Sequence, residues 1–353
     1  MLALILLIVI LGVLIFVHEF GHFITAKKCG AHVYEFALGM GPKIFGFKRK
    51  GDPTQYSLRL FPIGGYCAIA GEDGEDDGGD KKLKKSEYMC NKTILERCII
   101  LIAGVCMNFI TGFVILFISA LIWGAPNGES IIGAVPEGYP VSKAGIEVGD
   151  RIISINGKKV RSWDKITLLL NLKNERESYE FKIEKKDGKI KTYDITPDIV
   201  KDKDGNEIKV FGIGQDAKRH RGLGFSLKYA FSKFFSIIYT MWAIVGNLII
   251  GNLSLSALSG PVGVYSIVGE AAHTSIESVL YLMAYLSINL GFINILPFPA
   301  FDGGRVLLLI IEAIRKKKMN PKIEHAINAV GFALLMLLMV VITIKDVINL
   351  INK

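Results

Sequence analysis

Five consecutive residues near the start of the chain, His18-Glu19-Phe20-Gly21-His22, have the types and spacing of a hydrolytic metal site. In a helix, side chains at i and i+4 lie on one face with their Cβ atoms about 5–6 Å apart, so His18 and His22 can bind one metal ion together. In this H-E-x-x-H arrangement two imidazoles hold Zn²⁺, and the glutamate is the general base for a metal-bound water. The motif therefore predicts a zinc hydrolase in which Glu19 is catalytic.

The motif lies inside an apolar stretch that is long enough to cross a bilayer, which takes about 20 residues. Residues 2–17 carry no charge, and Lys27 and Lys28 follow the motif. Ionisable groups at the centre of such a span cost about 2.5–3.5 kcal/mol each and usually serve a function. Three of them within five residues favour a functional site over a chance match. The lysines place the motif towards the cytoplasmic end of the span by the positive-inside rule.

The composition predicts a membrane protein rather than a soluble one. Of the 353 residues, 51% are hydrophobic, and they occur in long blocks. The net charge of +9 comes from basic clusters beside these blocks, for example residues 48–50 and 315–318. Such clusters are typical of cytoplasmic membrane flanks, so we expect the lipid bilayer and not a nucleic acid as the partner. The cysteines form no C-x-x-C pair, and we expect them to be free thiols.

Four apolar stretches predict transmembrane helices, at residues 3–25, 98–123, 278–298 and 326–345. A fifth stretch, 226–250, carries lysines. A crossing there would put the end of the third span on the side of the membrane opposite to His18 and His22. We therefore expect an interfacial or re-entrant helix at this position.

The predicted regions are the first transmembrane helix with the motif (1–30), a membrane-associated β region with a flexible cytoplasmic loop (31–96), the second transmembrane helix (97–124), a soluble α/β module (127–200), an interfacial or re-entrant region (201–275), the third transmembrane helix with an aspartate (276–314), and the fourth with the tail (320–353).

A third metal ligand is required, because catalytic zinc normally takes three protein ligands and a water. Asp302 follows the third span and the helix-breaking residues Pro297 and Pro299. A single crossing brings it to the same membrane depth as the two histidines. His32 is the alternative ligand, but it lies in a predicted loop without helical spacing. We therefore expect one Zn²⁺ per chain, with Asp302 as its third ligand.

Residues 56–61 alternate between polar and apolar side chains, and residues 62–66 contain a Pro-Ile-Gly-Gly turn signal. This pattern predicts a β-hairpin or short sheet near the metal site. An exposed strand edge could pair with an extended substrate, although a structural loop packed on the helices is equally consistent with the pattern. The candidate substrate contacts in this region are Leu58, Leu60, Gly64 and Gly65.

Asn108 is an amide within the second span, four residues after Gly104. Small residues such as Gly104 allow two helices to approach closely. Two roles remain open for Asn108: a helix–helix hydrogen bond and a contact with the substrate.

The segment 141–157 (VSKAGIEVGDRIISING) within the soluble module closely resembles the signature of PDZ domains. That resemblance implies a fold in which a strand edge and a small-residue loop capture a peptide. Residues 131–135 would form the loop, with Ile132, Gly133 and Val135 as candidate contacts. The alternative is a steric gate that binds no peptide tightly.

Taken together, the motifs resemble those of the site-2 protease family of intramembrane zinc metalloproteases, in particular the bacterial regulator-of-sigma-E protease group. The resemblance rests on their order along nearly the whole chain: His18 to His22, Ala103-Gly104 with Asn108, one PDZ-like module, Ser259-Gly260-Pro261-Val262-Gly263, and Asn294 with Asp302-Gly303. It implies His18, His22 and Asp302 as zinc ligands, Glu19 as the base, and Asn294 as a helper for the transition state or the substrate. Val105 and Phe301 depart from the usual pattern, but neither replaces a ligand.

The resemblance implies a polytopic α-helical protein of the bacterial cytoplasmic (inner) membrane. It would have about four transmembrane helices, a membrane-associated β-hairpin or sheet, and an inserted extracytoplasmic PDZ-like α/β domain. The active site would lie near the cytoplasmic side. The expected activity is cleavage of single-span membrane proteins already trimmed by an upstream site-1-type protease, with anti-sigma factors and remnant signal peptides as candidate substrates. The alternative from another class is a membrane metal-binding scaffold or transporter without hydrolysis.

Overall fold

A computed structural model describes residues 2–72, 83–171, 177–201, 207–251 and 260–351. The helices are α1 (Leu2–Lys28), α2 (Ile94–Trp123), α3 (Pro140–Lys143), α4 (Trp163–Asn171), α5 (Leu223–Ile249), α6 (Pro261–Thr274), α7 (Ile276–Ile295), α8 (Asp302–Arg315) and α9 (Pro321–Ile351). The strands are β1 (Val33–Lys48), β2 (Gln55–Ile69), β3 (Ala125–Pro126), β4 (Ile132–Ala134), β5 (Arg151–Ile155), β6 (Lys158–Lys159), β7 (Tyr179–Glu184), β8 (Ile190–Ile195), β9 (Asp198–Lys201), β10 (Glu207–Val210), β11 (Gly214–Gln215) and β12 (Arg219–His220). The chain forms two compact units: unit 1 comprises residues 1–115 and 259–348, and unit 2 comprises residues 116–258 and 349–353.

Within the described residues, five helices are long and apolar enough to cross a membrane: α1, α2, α5, α7 and most of α9. Four of them are the predicted spans. The fifth, α5, has a mean hydropathy of only 1.3, the lowest of the five. It is one continuous helix from Leu223 to Ile249, and the interfacial or re-entrant placement of this segment stays a prediction.

The direction of α7 relative to α1 follows from two contacts within unit 1. A Cβ atom built on Gly269, near the end of α6, would lie 3.5 Å from Cβ of Ala3 at the start of α1. The next helix, α7, leads to Asp302, which lies beside His18 and His22. α7 therefore runs parallel to α1, from the level of Ala3 to the level of the motif. This agrees with the single crossing that the sequence predicts for this segment.

β1 and β2 form one long antiparallel hairpin that is bent back on itself. The hairpin's own turn lies at residues 49–54, so the predicted turn at 62–66 is a bend within β2 instead. Gly39, Gly41 and Gly64 have φ angles of +87°, +83° and +91° at this bend. Only glycine adopts such angles readily, which explains why the chain can fold over at this point.

The bend turns the hairpin into a four-stranded arrangement. Residues 33–38 pair with residues 65–69 on one side and with residues 55–58 on the other, and residues 45–48 pair with 55–58. Residues 65–69, the edge segment, therefore have a strand partner on one side only among the residues that the structure describes. A strand edge of this kind is open to a further strand.

Unit 2 contains the predicted soluble α/β module. Its four-stranded sheet has the order β6-β5-β7-β8, and α4 packs with it around a core that includes Tyr179, Phe181 and Ile152. α5 belongs to the same unit and is joined to α4 by an ion pair between Lys233 Nζ and Asp164 Oδ1, 2.6 Å apart. The PDZ identity of the module stays a prediction.

Candidate metal centre

His18, His22 and Asp302 converge on one point in unit 1, although the aspartate is far from the histidines in the sequence. The Nε2 atoms of the two histidines are 3.2 Å apart. Oδ2 of Asp302 lies 3.2 Å from Nε2 of His18 and 3.4 Å from Nε2 of His22. Within the described chain these residues form the one group with the donor atoms and spacing of a metal site.

The spacing of these three atoms fits a zinc ion. Zn–N and Zn–O bonds of about 2.0–2.2 Å in a tetrahedron imply ligand atoms roughly 3.3–3.6 Å apart. Oδ2 of Asp302 is also buried and has no hydrogen-bond partner in the part of the chain that the structure describes. A buried carboxylate oxygen with no donor is costly unless a cation satisfies it. Two imidazoles and a carboxylate are the donor set that catalytic zinc uses.

Close packing of α1 against α2 holds the histidines in place, and two glycines make that packing possible. A Cβ atom on Gly21 would overlap the carbonyl of Ala103 and lie 2.9 Å from the backbone nitrogen of Gly104. A Cβ atom on Gly104 would overlap Nε2 of His22 and lie 2.8 Å from Cε1 of His18. The imidazoles therefore lie directly on the backbone of α2. The sequence indicated close helix contact at Gly104, but not that the histidines make it.

The other ring nitrogen of each histidine has a partner on α2. Nδ1 of His22 lies 2.8 Å from the carbonyl oxygen of Ile100. Nδ1 of His18 lies 3.2 Å from the side-chain amide of Asn108, which is fully buried. With Nδ1–H donating to the Ile100 carbonyl, Nε2 of His22 carries a lone pair for a metal. Oδ1 of Asn108 is buried without a partner among the described residues. With the amide turned so that Oδ1 accepts from Nδ1–H of His18, Nε2 of His18 also carries a lone pair for a metal.

Replacing Asn108 by alanine is expected to lower the zinc affinity about 10- to 100-fold, the usual effect of losing a partner of a metal-bound histidine. The measurement is zinc retention against a graded series of chelator concentrations. Ser287→Ala is the matched control, because Oγ of Ser287 donates to the backbone carbonyl of Asn108 at 2.8 Å and does not touch its amide. Equal zinc affinities for the Asn108→Ala variant and the wild type would contradict this role.

Asp302 is brought to the histidines by a tight turn between α7 and α8. The turn follows Ile295 and includes Ala300, whose φ angle is +77°. Gly303 packs against the carbonyl of Ile295, where a Cβ atom would overlap it. One turn further along α8, Arg305 forms an ion pair with Glu72. Asp302 is therefore fixed both by the packed turn before it and by the ion pair after it.

Comparison with known proteins agrees with this geometry. The sequence profile of peptidase family M50 matches residues 6–338. The chain belongs to peptidase family M50. Among its relatives, zinc metalloprotease RasP of Bacillus licheniformis is 33% identical, over 96% of this chain and 97% of that protein. Regulator of sigma-W protease RasP of Bacillus subtilis is 32% identical over the same shares of the two chains. Zinc metalloprotease RasP of Shouchella clausii is 33% identical, over 97% of this chain and 98% of that protein.

Membership of family M50 confirms the resemblance to site-2 proteases and makes the chain a site-2-type zinc metalloprotease. Together with its apolar helices, it makes the chain a multi-pass membrane protein. A scaffold or transporter that does not hydrolyse its ligand is therefore excluded as the main function.

In this M50 protease, Glu19 lies next to the edge segment. A Cβ atom built on Gly65 would lie 3.7 Å from Cγ of Glu19. Glu19 is half-buried and is not one of the three converging ligands. Asn294 is half-buried in the last turn of α7, on the segment that leads to Asp302. These positions suit a base and a helper, and both roles stay predictions.

The other predicted substrate contacts fall into two groups. In unit 1, Leu58 and Leu60 are exposed on β2, and Gly64 and Gly65 lie at the bend and the start of the edge segment. Asn108 is not a surface residue, and its amide faces His18, which favours support of a metal ligand over a substrate contact.

The Ser259 end of the Ser259-Gly260-Pro261-Val262-Gly263 motif lies outside the described residues. In the rest of that motif, the backbone N–H groups of Gly260 and Gly263 donate to Oδ2 of Asp346.

In unit 2, the predicted peptide-binding loop has little room for a peptide. Ile132 is only 1% exposed and belongs to the core. β4 pairs with β11 on one side, and Ile132 exchanges backbone hydrogen bonds with Gly149 and Asp150 on the other. Gly133 lies against the backbone of Asp216, and Val135 packs against the core. This placement argues against peptide capture through Ile132.

Proposed function

We propose that this M50 protease hydrolyses peptide bonds within or near the transmembrane segments of single-span membrane proteins. The observation that carries the proposal is the convergence of His18, His22 and Asp302 beside both Glu19 and an open strand edge. In this proposal the three residues hold one Zn²⁺ per chain. When bound, zinc polarises the scissile carbonyl and lowers the pKa of its water.

Glu19 would act as the general base and then as the general acid. Its carboxylate would take the proton of the attacking water and pass it to the leaving amine. Asn294, on the segment before Asp302, would donate a hydrogen bond to the substrate or to the oxyanion that forms. Both side chains are half-buried, which limits competing water without closing the site.

A substrate helix must unwind before its peptide bonds can be attacked, because its carbonyls are engaged in its own hydrogen bonds. In lipid the freed backbone groups need new partners. The edge segment, residues 65–69, could supply them by pairing with the unwound stretch, since one of its sides has no strand partner in the described part of the chain and it lies next to Glu19. Leu58, Leu60 and Gly64 are further candidate contacts on the same strand.

The basic clusters in the sequence support a site near the cytoplasmic side of the bacterial inner membrane and an extracytoplasmic location for the α/β module, residues 127–200. We propose that this module, which resembles a PDZ domain in sequence, acts as a size filter. The substrates would then be membrane proteins already shortened by an upstream site-1-type protease. The name of the Bacillus subtilis relative, regulator of sigma-W protease, favours anti-sigma factors as one substrate class, and remnant signal peptides are a second.

The size filter predicts that shortening the extracytoplasmic part of a substrate speeds up its cleavage. We expect a single-span anti-sigma factor with a short stub to be cut at least about tenfold faster than the same protein with its folded ectodomain, a difference of roughly 1.4 kcal/mol in the barrier. The rates are compared on the purified full-length enzyme in lipid nanodiscs. A reporter with the same transmembrane segment and a short unstructured stub is the control. Equal rates for the long and short substrates would contradict the filter.

A further inference from the structure

The carboxylate of Glu35 joins the two strand segments that flank it in the sheet of unit 1. It accepts hydrogen bonds from the hydroxyls of Ser57 and Tyr66. Nη2 of Arg59 lies 2.9 Å from each of its two oxygens. Ser57 and Arg59 belong to one flank and Tyr66 to the other. We call these four residues the carboxylate network.

The network lies on the face of the sheet that points away from α1. Phe36, the next residue along β1, packs its ring against Phe16 and Phe23 of α1, with ring centroids 5.5 and 4.8 Å apart. Side chains alternate between the two faces of a strand, so Glu35 points the other way. Its charge is compensated on that face by Arg59, and the two side chains are only 18% and 21% exposed.

The network remains charged and hydrogen-bonded at neutral pH. Burial and then the hydrogen bond to Glu35 raise the pKa of Tyr66 to about 12, so its hydroxyl keeps its proton and donates. Burial alone would raise the pKa of Glu35, but the hydrogen bonds from Ser57, Tyr66 and Arg59 outweigh it and lower that pKa. Glu35 is therefore a carboxylate, which makes each hydrogen bond to it stronger than a neutral one.

Tyr66 differs from the other donors because it lies on the edge segment. Residues 55–58, which carry Ser57, have strand partners on both sides, whereas residues 65–69 have one on one side only within the described chain. Ala37 is the register partner of both Ser57 and Tyr66, so the two hydroxyls lie at the same level of the sheet. Among the hydrogen bonds of the network, the two made by the Tyr66 hydroxyl tie the edge segment to the middle of the sheet: it donates to Glu35 and accepts from Nη2 of Arg59.

We propose that Tyr66, acting through Glu35, is a positioning residue that holds the edge segment at the correct distance from Glu19 for an extended substrate. Gly65 is next to Tyr66 in the chain and next to Glu19 in space. A small displacement of Tyr66 would move the backbone groups that are to pair with the substrate. The inference rests on the proposed function, in which the edge segment binds the unwound substrate.

Tyr66→Phe and Ser57→Ala form a matched pair of variants. Each removes one hydroxyl that donates to the same carboxylate, and Tyr66→Phe also removes the oxygen that accepts from Nη2 of Arg59. Phenylalanine also keeps the ring over which the guanidinium of Arg59 lies, 5.0 Å from the ring centroid. A network that only stabilises the sheet would respond similarly to both changes. A positioning role confined to the edge segment predicts an effect of Tyr66→Phe alone.

The experiment measures binding of a fluorescent synthetic transmembrane peptide of about 20 apolar residues. It uses the full-length protein in nanodiscs, in a Glu19→Gln background so that the peptide stays intact. We expect Tyr66→Phe to raise Kd about tenfold, the size of one hydrogen bond to a charged group, and Ser57→Ala to change it less than about twofold. In a Glu35→Gln background, which keeps the shape of the side chain, Tyr66→Phe should have a smaller effect.

Zinc content and thermal unfolding are recorded for every variant, and both should match the parent protein. Equal Kd values for the Tyr66→Phe and Ser57→Ala variants would overturn the positioning role, and so would a parent protein that does not bind the peptide. By contrast, a wild-type protein that binds the peptide without cutting it would contradict the proposed function. In that case the Kd comparison still decides the role of Tyr66.

Discussion

Replacing Glu19 by glutamine is expected to slow peptide hydrolysis about 10²- to 10⁴-fold while the protein keeps its zinc. Glutamine has nearly the shape of glutamate, but its amide cannot accept the proton of the attacking water. Glu19 is not among the three atoms that converge on the metal position, so the metal site should remain intact. The measurement is the rate of product formation from a single-span substrate, with products identified by mass spectrometry and zinc measured on the same sample.

The control for this prediction is Glu137→Gln, which makes the same change at an exposed glutamate of unit 2. It should leave both the rate and the zinc content unchanged. Cleavage by the Glu19→Gln variant at the wild-type rate would show that another group moves the proton. Loss of zinc from that variant would instead show that Glu19 supports the metal site, and the proposed role would be wrong.

The convergence of His18, His22 and Asp302 could be predicted from the sequence, because helical spacing and the count of membrane crossings both indicate it. Helical spacing places His18 and His22 on one face, and the prolines before Asp302 indicate the end of a helix. The count of membrane crossings then brings Asp302 to the depth of the histidines. The structure places the three residues together as these rules require.

The surroundings of the ligands could not be predicted, because they depend on contacts between helices that are distant in sequence. The carbonyl of Ile100 beside His22 is a backbone atom, and any residue type could supply it. Asn108 could be identified as a buried amide in need of a partner, but nothing in its neighbours along the chain points to His18. The contact depends on the relative rotation of α1 and α2, which sequence periodicity leaves open.

The sheet of unit 1 shows the same limit in another form. Alternation within residues 56–61 indicated a strand, and the glycines after it indicated a turn. The chain instead continues as β2 to Ile69, and the hairpin folds over at Gly39, Gly41 and Gly64. A glycine signal gives the place where the backbone can bend but not which strands meet afterwards. The edge segment and the carboxylate network follow from that pairing.

Gly104→Ala is expected to reduce both zinc content and proteolysis, with activity falling about 100-fold or more. The new methyl group would overlap Nε2 of His22 and approach Cε1 of His18, so both ligands would have to turn away from Asp302. Moving α2 away from α1 would relieve the overlap only by opening the close contact between Gly21 and Ala103, the residue before Gly104. The measurement is zinc content by mass spectrometry together with the rate of substrate cleavage.

Gly112→Ala separates this effect from a general loss of helix packing. Gly112 lies on the same helix, and a Cβ atom there would lie 3.0 Å from the carbonyl oxygen of Ala284 on α7. The substitution crowds a helix contact of similar tightness, but no metal ligand is near it. We therefore expect Gly112→Ala to lower thermal stability while zinc stays bound. If both variants kept their zinc, the direct contact between Gly104 and the imidazoles would not control the site. If both lost it equally, the position of α2 as a whole would be the controlling feature.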